Sequence, residues 1–97
     1  MSRKLRISRP AENDLDEIWL YIAEDAPETA DRFIDFVVER LTILSSSPEM
    51  GRLREDLEPG LRTFPLDNYL VFYRLSPDRV EIARIIHGAR DIEALFE

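Results

Sequence analysis

Residues 61–87, "LRTFPLDNYLVFYRLSPDRVEIARIIH", decide the fold. Three runs rich in β-branched and aromatic side chains, "LRTFPL", "YLVFYRL" and "RVEIARIIH", follow one another with only Asp67-Asn68 and Ser76-Pro77-Asp78 between them. Such composition reads as strand, and separations this short favour hairpins, so the stretch predicts a three-stranded antiparallel meander. Pro65 has no N–H to give a ladder, which predicts an edge or a bulge at that position.

Working outward, the period changes on the N-terminal side. "KLRIS" alternates, with Leu5 and Ile7 on one side, and predicts a short strand. Ser8 is placed to cap the element that follows and Pro10 to sit in its first turn, where a missing N–H costs nothing. Ala11, Leu15, Ile18, Trp19 and Ile22 then fall on one face at helical spacing. "DAPE" restarts the count: Asp25 with Glu28 has the form of a capping box, and Ala30, Phe33, Ile34, Val37, Leu41 and Leu44 carry a second apolar face until "SSSP". With almost no linker between them, the two helices should form an antiparallel hairpin. "GRLREDLEPG", residues 51–60, is expected to be loop. The predicted fold class is α+β: one strand, a helical hairpin laid on a sheet, then the meander, as one domain over residues 1–97.

Charge is distributed unevenly around the net −7. Residues 1–11 carry +4, residues 12–58 hold 14 acids against four arginines, and residues 59–97 hold six acids against five arginines. An acidic middle repels phosphate, which disfavours autonomous nucleic-acid binding. The absence of cysteine fits a reducing compartment. No apolar run approaches a signal peptide's core or the roughly 20 residues of a membrane span. The expected setting is soluble and cytoplasmic, without a membrane partner.

Chemistry is constrained by what the sequence holds. One histidine and no cysteine exclude Cys/His catalysis and His-rich metal sites. The serines concentrate at a helix stop, and no glycine-rich phosphate loop exists among three well-spaced glycines. What remains is Arg62, Tyr69, Tyr73, Arg74, Arg84, His87 and Arg90. A metal-free ribonuclease could use an arginine with a histidine, but Arg84 and His87 stand an odd number of residues apart and should point to opposite faces of a strand. His87, just before Gly88, is expected to fix a turn. Trp19 lies on a helix's apolar face, as a core anchor or a partner contact. Ile92, Leu95 and Phe96, at i, i+3 and i+4, either form a patch for a partner or dock on the chain's own sheet.

The order of four pieces adds a further signal. "RPAENDLDEIWLYIAE", "LSSSPEMGR", "GLRTFPLDNYLVFYR" and "VEIARIIHGARD" resemble, in sequence order and over almost the whole chain, the ParE family of the ParE/RelE toxin superfamily. The resemblance implies a non-enzymatic toxin that inhibits DNA gyrase by binding, with neither cofactor nor metal. It implies neutralisation by a ParD-like antitoxin, through which alone DNA would be contacted. RelE-type toxins, related in fold, cleave mRNA in the ribosome, and that is the alternative activity. Candidate contacts with partner or target are Trp19, Arg62, Arg74, Arg84, His87 and Arg90, and in the tail Ile92, Leu95 and Phe96.

Overall fold

The computed structural model describes residues 3–96. Strand β1, Lys4–Ile7, leads into helices α1, Arg9–Ala23, and α2, Pro27–Ser46. A two-residue strand β2, Arg52–Leu53, precedes the meander of β3, Arg62–Leu66, β4, Tyr69–Leu75, and β5, Arg79–His87; a short turn of helix α3, Ile92–Leu95, ends the chain. The sheet order is β1-β5-β4-β3-β2. β1 runs parallel to β5, Lys4 opposite Arg79 through Ile7 opposite Ile82, and the other neighbours are antiparallel. The α+β architecture is as expected, with two corrections of detail. The segment taken as loop contributes β2, because Arg52 and Leu53 pair with Thr63 and Arg62.

The helix starts follow local chemistry, once as expected and once not. Ser8 caps α1 by accepting from the Ala11 N–H, with Pro10 in the first turn. The capping box at Asp25 does not form: α2 is preceded by Ala26, with no side-chain cap. The three-residue reversal from α1 brings the chain in with Ala26 at the cap position, and Asp25 instead donates its N–H to Ile22 of the turn. Pro65 stands past the short reach of β2, on the open part of β3, where its missing donor costs nothing. The bulge is elsewhere. Phe72 faces Arg84 while Tyr73 faces Ile82, so Ala83 is the extra residue in β5.

Two apolar clusters sit on the two faces of the sheet. The larger packs Ala11, Ile18, Val37, Leu41 and Leu44 of the helices against Leu66, Val71, Tyr73, Val80, Ile82 and Ile85. The smaller holds Leu61, Phe72 and Ile86 under Leu57, Leu70, Ile92, Leu95 and Phe96. The tail therefore docks on its own sheet, with the Phe72 and Phe96 rings 4.9 Å apart. Tyr73 ties the exit of α2 to the sheet: its buried hydroxyl donates to the Pro48 carbonyl at 2.7 Å and accepts from the Gly51 N–H at 2.9 Å. A Cβ on Gly51 would lie 2.2 Å from that hydroxyl, so only glycine fits. "SSSPEMGR" is thus a helix stop joined to a tyrosine socket. Burial pushes the Tyr73 phenol above its ordinary pKa.

Candidate functional site

The bulge sets the geometry of the candidate residues. β1 reaches β5 only as far as Ile82, so the edge of β5 from Ala83 to His87 has no strand beside it. Side chains from the start of α1 cover part of this edge. The Ser8 hydroxyl donates to the Ala83 carbonyl, and the Asp14 carboxylate accepts the Ile85 N–H at 2.9 Å. Arg84 grips the same carboxylate with two parallel bonds, Nε to Oδ2 at 2.8 Å and Nη2 to Oδ1 at 2.9 Å. Asp14 is almost fully buried, and with three donors on it the carboxylate is matched as such a group must be. Hydrogen bonding to Asp14 holds the Arg84 guanidinium above its already high pKa.

Arg84 is in register with Phe72 and His87 with Tyr69, and on each strand the two residues are three apart, an odd number, so Arg84 and His87 stand on opposite faces of the sheet. The His87 Nδ1 accepts from the Ala89 N–H at 3.1 Å, and the ring stands edge-on to Tyr69 at 5.3 Å between centroids. That bond requires an unprotonated Nδ1, so the neutral ring carries its proton on Nε2. His87 and Arg90 meet in a cleft of about 150 Å³ at the uncovered end of β5, lined also by Asp14, Glu17, Ile18, Tyr21, Tyr69, Ile85 and Ile86. Burial, with Tyr21 and Asp67 adding to it, raises the Tyr69 phenol.

The other sequence candidates fall in three different places. Trp19 is half-buried and donates Nε1 to Asp31 at 2.8 Å, pinning α1 to α2. Arg62 donates to the carbonyls of Gly51 and Glu49, bracing the socket loop. Arg74 is bound to Glu58 and lies 3.6 Å from Glu81. It lines a cavity of about 360 Å³ together with Ser8, Pro10, Glu58, Ala83, Arg84, Leu95 and Phe96. Ile92 sits with Leu95 and Phe96 on the smaller cluster. Sequence reasoning missed Asp14, Glu17 and Tyr21. Only Tyr21 left a signal, being a large aromatic residue off the apolar register of α1; it is 74% exposed.

Electrostatics separate the helices from the rest. Residues 9–46 hold ten carboxylates against Arg9, Arg32 and Arg40, which is −7; the remaining residues hold ten against ten, which is 0. The whole net charge belongs to the helical hairpin. Among the described residues no three His, Cys, Asp or Glu side chains gather as metal ligands, and no helix is long and apolar enough to cross a membrane.

Known proteins place this arrangement. The chain is 36% identical over 95 residues to Toxin ParE3 of Caulobacter vibrioides, covering 97% of this chain and 94% of that protein. Toxin RelE3 of the same organism is 30% identical, with 89% and 95% covered. Among solved structures, a chain of the chromosomal ParDE toxin-antitoxin system of P. aeruginosa superposes with a TM-score of 0.75 at 28% identity, over 89% of this chain and 96% of that one. The model of the ParE toxin of the type II toxin-antitoxin system parDE matches residues 5–92, and the chain belongs to that family.

Proposed function

We propose that this type II toxin inhibits DNA gyrase by binding, in the cytoplasm, and is neutralised by a ParD-like antitoxin. The observation that carries the non-enzymatic part is the fate of Arg84. Its guanidinium is committed to Asp14 in register with Phe72, while His87 belongs to the opposite face and shares its cleft with Asp14 and Glu17. A phosphate brought to His87 would meet the Glu17 carboxylate, with Arg90 as the one arginine among the described residues lining the cleft, where a ribonuclease needs a surplus of preorganised positive charge. The related chain solved as part of the chromosomal ParDE system supports an antitoxin partner. The −7 hairpin suits an antitoxin segment that carries Lys or Arg around apolar anchors.

The test compares two activities side by side. Gyrase supercoiling should be inhibited in proportion to the toxin-to-gyrase ratio, because a binder does not turn over. His87→Gln should inhibit nearly as well as the parent chain. Catalytic amounts of toxin cleaving ribosome-bound mRNA, with cleavage lost in a folded His87→Gln variant, would replace this reading by the RelE-like nuclease.

A further inference from the structure

We infer that the cleft at the free end of β5 is a receptor for one arginine side chain of a partner protein. Its size argues first. About 150 Å³ is well below the roughly 300–1,000 Å³ of small-molecule sites, so a single long side chain fits and a nucleotide does not. Its walls argue next. Tyr21 and Tyr69 with the His87 ring offer aromatic surface, and a guanidinium stacks on such rings.

The acceptors complete the match. Asp14 has no role left, because Arg84 and the Ile85 N–H occupy both its oxygens. Among the described residues Glu17 makes no ion pair and feels Arg84 only at longer range, so its exposed carboxylate is available at the rim. In an antiparallel strand a residue's N–H and C=O point to the same side, and the Ile85 N–H points to the free edge. The Ile85 carbonyl therefore faces that edge too, as a second acceptor. A carboxylate, a carbonyl and aromatic walls suit the forked donors of arginine better than an anion or an apolar side chain. The acidic surround of α1 favours the same sign of charge. Arg90 is the opposing group at the rim, and it would weaken the site.

The identity of the partner as an antitoxin rests on the proposed function; the chemistry of the cleft does not. The full chain, labelled with ¹⁵N, should be titrated with N-acetyl-arginine amide and followed by NMR. Saturable shifts are expected at Tyr21, Tyr69, Ile85 and His87, with a dissociation constant on the order of 1 mM. Citrulline amide, uncharged but of like shape, should give no saturable shifts, and glutamate amide none. Glu17→Gln should weaken arginine binding at least about threefold, since it removes the charged acceptor, and Arg90→Ala should tighten it about twofold. Both positions are exposed, so the spectra will show that the fold is kept. Equal binding of citrulline amide, or binding unchanged in Glu17→Gln, overturns the inference. Either result leaves the gyrase test untouched, and a toxin that fails on gyrase would leave a demonstrated arginine site standing.

Discussion

The two faces of this sheet are closed in different ways. One is covered by 35 residues of helix in α1 and α2, whose Val37, Leu41 and Leu44 are fully buried. The other is covered by the chain's last few residues, whose Ile92, Leu95 and Phe96 remain half-exposed above Phe72 and Ile86. The helix face is a core in the ordinary sense. The tail face is apolar near the tail and ionic further along, where Arg6, Glu81, Arg74 and Glu58 form a chain of opposite charges. Ordering a residue costs roughly 1–2 kcal/mol of backbone entropy, so three half-buried side chains barely offset the ordering of a short tail. The tail face should open locally while the helix face holds.

The largest effect that would test this contrast lies on the helix face. Leu41→Ala should cost about 3 kcal/mol, measured by urea unfolding, because it leaves a cavity where nothing can relax. A loss below about 1 kcal/mol would mean that the hairpin is not the main cover. Asp14→Ala should cost nearly as much, about 2–4 kcal/mol, since it strands Arg84 and the Ile85 N–H beside a buried edge. In that variant the Ile85 amide should also lose protection from hydrogen exchange.

Smaller effects belong to the tail face. Truncation after Arg90 should leave a cooperative fold destabilised by about 1–2 kcal/mol, with increased exchange confined to Phe72, Ile86 and their neighbours. Global unfolding on truncation would erase the distinction between the faces. The Arg74 guanidinium holds Glu58 below the usual carboxylate range. A depressed carboxylate stabilises the fold fully above its unfolded pKa of about 4.3, and that stabilisation fades as pH falls through the lower folded value. Glu58→Gln should therefore flatten the acid limb of stability below about pH 4.3 and leave its shape above neutral pH unchanged. Both partners are partly exposed, so salt should weaken the contribution. Last, the Thr63 hydroxyl is buried with no hydrogen-bond partner among the described residues, and Thr63→Val should change stability by less than about 1 kcal/mol, if anything upward.

The meander, the hairpin and the first cap were legible because each rests on local signals: alternation, 3.6-residue spacing, Ser8 before Pro10. The sheet order was not, since the pairing of Lys4 with Arg79 is a contact between the chain's two ends. The cap at Ala26 escaped because a capping box describes side chains, whereas a three-residue reversal between packed helices is set by tertiary fit. The candidate site was half legible. His87 and Arg90 stood out as scarce or charged residues near a strand end. Asp14 looked like one more solvated acid on α1, and nothing local distinguishes it from Asp16; only the bulge at Ala83 and the early end of β1 give it three donors.

The parallel pairing of β1 with β5 also has a consequence in time. Residues 4–7 must wait for residues 79–82 before they gain a strand partner, while every other pairing in the sheet is between neighbours along the chain. Contacts of such long sequence separation form late. On a ribosome adding roughly 5–20 residues per second, β1 waits roughly 4–15 seconds before its partner in β5 is made. A chain cut short anywhere before β5 lacks the strand neighbour of β1 and the donors, Arg84 and the Ile85 N–H, that hold Asp14. Through that interval the apolar faces of α1 and α2 have no finished sheet to pack on.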